Sequence, residues 1–232
     1  MRSIATVLTA LVIAGTVSAC GGTQPDGAPA PAAEETLRAV STTDGSLTVR
    51  REPSAEGAVL TRLSESTALG SPRVLLVEER RDGWVKVALP VRPNGSTGWV
   101  AEDDVLLEPV RGSVRIDLAK RRLVYTLDGR QVTSAEVAIG TTRNPTPTGD
   151  FFVTDRIRPA DPDGAYGAFA LGISAHSETL TEFAGGDGQI GIHGTNAIAS
   201  IGRAVSHGCV RVTNDVAALL AGIPLGTPVA IR

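Results

Sequence analysis

From Leu47 onward the chain runs in short stretches of alternating apolar and polar residues, each closed by Gly, Pro, Asp or Asn. "SLTVRREPS", "AVLTRLS", "RVLLVEE", "GWVKVAL" and "TGWVAEDDVLL" each suit a strand of about five residues. Alternation at period two turns one face of such a strand to a core and the other to water. Pro93-Asn94-Gly95, placed before Trp99, is a hairpin signal. Closely spaced short strands of this kind predict a small barrel.

A second series begins near Val110. "GSVRIDLAKRRLVYTLDGRQVTSAEVAIG" alternates again, with a turn at Asp128-Gly129, and reads as antiparallel strands. "RNPTPTGDFFVTD" places an extended turn, held by two prolines and a glycine, before another strand. Residues 156–189 are rich in Gly, Asp and Pro and carry short apolar pieces such as "AFALGIS". "NDVAALLAGI" is the best helix candidate, with Val216, Leu219, Leu220 and Ile223 on one stripe and Gly222 and Pro224 ending it. "TPVAIR" closes as a strand. The fold class expected is mostly β, with one or two short helices.

The first twenty residues change the picture of where the chain works. One Arg precedes an apolar run from Ile4 to Val17, short for a membrane span, and Val17-Ser18-Ala19-Cys20 follows. This ending resembles a bacterial lipobox. The resemblance implies a signal peptide over residues 1–19, cleavage before Cys20 and lipidation of Cys20. Two or more acyl chains on Cys20 would anchor an exported protein to a membrane. Residues 21–36 are Pro, Gly, Ala and acidic residues with almost nothing to bury, so residues 20–36 read as an anchor and tether.

Composition and charge exclude some partners. From Val110 to Arg232 there are 12 Lys/Arg against 11 Asp/Glu, and from Leu37 to Pro109 there are 9 against 11. Neither part carries the one-signed field of a nucleic-acid binder, so no such partner is expected. Aromatic residues make up only 3% of the chain, which leaves the cores to Val, Leu, Ile and Ala.

The chemistry gathers near the C-terminus. With Cys20 lipidated, Cys209 has no disulfide partner in the chain, and an unpaired thiol in an exported protein is a candidate reactive group. A thiol attacks only as the thiolate and needs a base nearby. Of the three histidines, His193 in "GQIGIHGTNA" and His207 in "SHGC" have glycine-flanked contexts near Cys209; His176, in "GISAHSE", has no motif and reads as a surface or lid residue. Gly208 lets the backbone bend at Cys209, so that main-chain N–H groups can converge on an oxyanion. Metal binding is not expected: there is no CxxC and no HExxH, and carboxylates do not cluster with the histidines.

Two resemblances sharpen this reading. Residues 37–109 resemble bacterial SH3-like domains at Leu47-Thr48-Val49-Arg50, at Asp82-Gly83-Trp84-Val85-Lys86-Val87 and at Gly98-Trp99-Val100. That resemblance implies binding to cell-wall peptide or glycan, or a spacer, with Trp99 in the core. Residues 110–232, through "IHGTNAIASIGRAVSHGCVRV" and "TPTGDFFV", closely resemble the L,D-transpeptidase (YkuD-like) catalytic domain. The resemblance implies that Cys209 is the nucleophile and His193 its base, oriented by the Gly194 carbonyl. It implies an oxyanion hole from the N–H groups of Gly208 and Cys209, with Ser206 and His207 shaping the site. Arg211 would brace the loop or meet a substrate carboxylate. The partners implied are peptidoglycan stem peptides, as donor and acceptor, with release of D-alanine, a 3→3 cross-link and no cofactor. An L,D-carboxypeptidase with water as acceptor, and a non-catalytic wall-binding lipoprotein, stay open beside it.

Overall fold

The computed structural model describes residues 35–182 and 185–232. The expected signal peptide (1–19), Cys20 and the tether up to residue 34 lie outside the described residues. Residues Glu35–Arg232 form one compact unit.

Its first sheet contains β1 (Leu37–Ser41), β2 (Ser46–Arg50), β3 (Val59–Ser64), β4 (Val74–Arg81), β5 (Trp84–Ala88), β6 (Thr97–Ala101) and β7 (Val105–Pro109), in the order β3-β2-β6-β5-β4-β1-β7. The alternation does what it predicts: Leu47 and Val49 of β2, and Val85 and Val87 of β5, are fully buried. "TGWVAEDDVLL" makes two strands, not one. Glu102, Asp103 and Asp104 fall between them as a 3-10 turn, since three successive acidic residues cannot line a core face. β1 was not anticipated. Only Ala39 of its five residues is buried, so its pattern is weak, and it is a strand because β4 and β7 pair with it on both sides. Trp99 is buried, with the Arg81 guanidinium 5.4 Å from its ring centroid, and Trp84 is half-buried.

The second sheet holds β8 (Gly112–Asp117), β9 (Arg122–Leu127), β10 (Arg130–Glu136), β12 (Gly149–Ile157), β13 (Ala170–His176), β14 (Gln189–His193), β16 (Val210–Arg211) and β17 (Pro228–Ile231). Their order is β10-β9-β8-β17-β12-β13-β14-β16, and β11 (Ile139–Gly140) pairs separately with β15 (Ala204–Ser206). The β9–β10 turn is made by Asp128 and Gly129, both at positive φ, as a two-residue hairpin requires. The helix α1 (Asn214–Leu220) forms, but its buried stripe is Ala217 and Leu220, with Ile223 beyond its end; Leu219 faces solvent. Among the described residues α1 is the one α-helix, and the fold is mostly β as expected.

The two cores share β12, a strand of the second sheet. Phe151 packs into the core of the second sheet, with Leu171, Ile173, Ile192 and Ile231, whereas Phe152 lies in the core of the first, with Leu47, Leu75 and Val87. Period-two alternation along one strand therefore serves two cores. Polar contacts follow the same seam. Asp155 on β12 is buried and accepts hydrogen bonds from Thr67 Oγ1, Thr154 Oγ1 (2.8 Å) and Gln189 Nε2 (3.1 Å). Arg38 Nη1 on β1 donates to the Leu225 carbonyl at 2.7 Å.

Candidate active site

Cys209 and His193 come to neighbouring strands because β14 and β16 run parallel and in register. Ile192 pairs with Val210 and His193 with Arg211. Cys209, one residue before β16, therefore stands alongside Gly191, and alternation turns Gly191, His193, Cys209 and Arg211 to one face. The Gly191 N–H donates to Cys209 Sγ at 3.4 Å. A Cβ on Gly191 would lie 3.9 Å from His193 Cδ2 and 3.3 Å from the Leu171 carbonyl oxygen. One glycine thus borders both candidate side chains.

His193 is oriented from behind. Its Nδ1 is 2.6 Å from the Gly194 carbonyl oxygen, which can only accept, so Nδ1 carries the proton and Nε2 presents a lone pair. The Gly194 peptide is itself held. Asn214 Oδ1, in the first turn of α1, accepts from the N–H groups of Thr195 (3.1 Å) and Ala168 (3.4 Å). Gly167, at φ +62°, passes so close that a Cβ there would overlap Asn214 Oδ1 and lie 2.6 Å from the Gly194 carbonyl carbon. Tyr166 packs its ring on His193, with centroids 4.9 Å apart and planes tilted by 53°.

The motif loop is closed by hydroxyls. Ser206 is buried; its Oγ donates to the Cys209 carbonyl (2.6 Å) and accepts the Gly208 N–H (3.1 Å). Of the two amides expected to face an oxyanion, that of Gly208 is therefore directed at Ser206. Gly208 sits at φ +122°, and a Cβ there would come 2.9 Å from Ile190 Cδ1, so only glycine suits the bend. Thr146, from the "TPTG" turn, donates to the Gly208 carbonyl (2.8 Å) and accepts from the Gly140 N–H (2.9 Å). The extended turn held by the two prolines thus reaches the loop that carries Cys209.

The electrostatics set the resting protonation. Burial pushes the Cys209 thiol up from its ordinary value, against the opposing pull of the Gly191 N–H and the Arg211 charge. Burial also holds His193 below the ordinary imidazole range, opposed by the Gly194 carbonyl and reinforced by Arg211. Both effects favour a neutral thiol beside a neutral imidazole. Arg211 is bound through its main chain to Ala138 on both sides (2.9 Å each), and its Nε is buried with no hydrogen-bond partner.

His207 is exposed and lines a small cavity with Cys209, Ser177, Leu180, Gln189 and Ile190. His176, read in sequence as a surface or lid residue, is instead buried at the end of β13, with Nε2 3.0 Å from Asp187 Oδ2. Sequence reasoning missed Gly191, Asn214, Gly167 and Tyr166. None has reactive chemistry of its own, and only their contacts mark them. Cys20 lies outside the described residues.

Comparison with known proteins gives a consistent result. The family model described as the L,D-transpeptidase catalytic domain, YkuD, matches residues 111–231. The family protein YkuD of Bacillus subtilis is 36% identical over 120 residues, covering 51% of this chain and 65% of its own length. YqjB of the same organism is 37% identical over 137 residues, covering 53% of this chain and 73% of its own length. Among solved structures, an L,D-transpeptidase from Mycobacterium smegmatis is similar at 17% identity, with a TM-score of 0.42, over 68% of this chain and 89% of that one.

Proposed function

The chain belongs to the L,D-transpeptidase (YkuD) catalytic-domain family, and from that premise we propose that it is a cysteine acyltransferase acting on the tetrapeptide stems of peptidoglycan. The observation that carries the reading is the placement of Cys209 and His193 on one face around Gly191, with the His193 proton fixed on Nδ1 by Gly194.

The chemistry follows from that arrangement. His193 Nε2 takes the thiol proton as Cys209 Sγ attacks the carbonyl of the third stem residue, forming the S–C bond. The carbonyl oxygen becomes an oxyanion, for which the Cys209 main-chain N–H is the donor, since Ser206 Oγ takes the Gly208 N–H. As the C–N bond breaks, His193 returns the proton to the departing amine and D-alanine leaves, with a thioester on Cys209. The amine of a neighbouring stem's diamino acid then attacks the thioester, losing its proton to His193. The new C–N bond forms, the S–C bond breaks, and the thiol regains its proton. No redox step or metal is needed for this balance.

Lipidation of Cys20 and a wall-binding role for residues 37–109 accompany this reading as further proposals, since both would keep the enzyme at its polymeric substrate. Incubation of the purified protein with disaccharide tetrapeptide, read by mass spectrometry, tests the central claim. A dimer lighter than two substrates by one alanine, absent with Cys209→Ala, is the expected product. Tripeptide monomer without dimer would make water the acceptor and remove the cross-linking claim. Unchanged substrate with no adduct on Cys209 would remove the enzymatic reading.

A further inference from the structure

Between β13 and β14 the chain leaves the sheet at Ser177 and returns at Gln189. Ser177, Leu180, Gly188 and Gln189 from this connection form one wall of the cavity beside Cys209. The Ser177 N–H donates to the Gly188 carbonyl (2.9 Å), and the Leu180 N–H to Ser177 Oγ (3.0 Å). At Gly188, φ is +80° and the two limbs touch: a Cβ would overlap the Leu180 carbonyl oxygen.

Beside the bonds that Gln189 makes to Thr154, Asp155 and Ile173 and that Thr179 makes to Asn144, a set of bonds to this wall comes from the first sheet. The β5–β6 connection carries Arg92 and Asn94. The Arg92 guanidinium donates to the carbonyls of Ser177 (2.7 Å), Leu180 (3.2 Å) and Asp187 (2.6 Å), so one planar group ties the outgoing limb to the returning one. Asn94 treats His176 as a strand partner would. Its Nδ2 donates to the His176 carbonyl (2.8 Å) and its Oδ1 accepts the His176 N–H (2.8 Å). The wall of the cavity is thereby fastened at its root and across its two limbs by a domain that carries no reactive residue.

We propose that Arg92 and Asn94 are positioning residues of the transpeptidase, and that the first sheet sets the shape of the substrate cleft beside Cys209. The inference rests on the function proposed above and adds to it the source of the cleft's geometry. Without the clamp, three carbonyls on two limbs lose their common donor, and the wall samples other arrangements, only a fraction of which accept the stem peptide. The Cys209–His193 pair, held by β14, β16 and α1, is left as it is. The expected signature is therefore a defect in substrate binding with normal thiol chemistry.

The test compares the full chain with Arg92→Ala, Arg92→Lys and Asn94→Ala in three measurements. Turnover of disaccharide tetrapeptide should show KM raised about tenfold in Arg92→Ala and Asn94→Ala with kcat changed far less, the scale of losing a few hydrogen bonds. Alkylation of Cys209 by iodoacetamide should proceed within about twofold of the unaltered rate. Amide exchange at Ser177, Leu180 and Gly188 should quicken. Arg92→Lys keeps the charge and the stem but cannot span three carbonyls, so it should show the same pattern in a chain whose folding is not in question. Unchanged KM and exchange in these variants would overturn the proposal. So would alkylation falling in step with turnover, which would place the defect in the reactive pair. Should the unaltered protein fail to turn over the stem peptide, the proposed function falls, while the exchange comparison still decides whether the clamp orders the wall.

Discussion

A neutral imidazole beside a neutral thiol has a kinetic signature. The proposed reaction needs His193 unprotonated, and burial holds its protonation below the ordinary imidazole range. The acid limb of kcat/KM is therefore expected at a lower pH than a free histidine would give. Arg211 lowers both groups by its charge, so Arg211→Met should raise both. The acid limb then moves to higher pH, and the pH at which iodoacetamide labels Cys209 moves up with it; a pair of profiles measured on both proteins settles this. Ser206 acts one bond further back. Loss of a direct oxyanion donor costs about 10²–10³ in rate. Ser206→Ala removes the bridge between the Gly208 N–H and the Cys209 carbonyl and should cost on the order of tenfold in kcat. Its stability cost should be about 1 kcal/mol. A kcat equal to that of the unaltered enzyme would mean that the loop holds its shape without this hydroxyl. The candidate pair was legible in the sequence, because Cys209, His193 and the glycines beside them stand out by their types and spacing. Gly191 was not, because a glycine in a strand differs from any other glycine only by what would collide with its missing side chain.

At the scale of elements, α1 does more than cover the sheet. Its first residue, Asn214, pins the Gly194 peptide, and Gly194 fixes the tautomer of His193. Gly167 is the tightest point of that stack. Gly167→Ala must place a methyl group on Asn214 Oδ1 at a positive φ, and should cost about 2–4 kcal/mol. The melting temperature is expected to fall by about 5–15 °C. Activity should fall beyond what the loss of folded protein explains, since Gly194 must shift. Strand alternation located most strands, and the Asp128-Gly129 turn, from sequence alone. It failed at β1, where one buried alanine gives no pattern, and at Glu102–Asp104, where a run of charge cut one expected strand into two. Along α1 the helical period was right, but one position was assigned to the wrong side. Leu219 was expected inside, whereas Ala217 is the residue that meets the core. Hydrophobicity alone ranks leucine above alanine, but Ala217 lies about one turn before the buried Leu220 and shares its face, whereas Leu219 is turned about 100° away from Leu220.

For the whole molecule, the joint between the sheets decides how it unfolds. Phe152, buried among first-sheet residues, belongs to a strand of the second. Phe152→Ala should cost about 3–5 kcal/mol, and the full chain should still unfold in one transition by calorimetry, both sheets together. Two resolved transitions would show the cores to be independent. Nothing in the sequence distinguishes Phe151 from Phe152, because alternation says only that the two face opposite ways, and what lies on each side is set by the tertiary fold. The same strand bears on the order of events during synthesis. A ribosome delivers the chain from its N-terminus, and β1–β7 emerge well before β12 does. The first sheet must wait, with a phenylalanine-sized gap in its interior, for a residue that arrives only after the next three long strands have been made. Its early product is a half-finished core with exposed apolar surface, and the step that completes it is the same step that begins to assemble the active site.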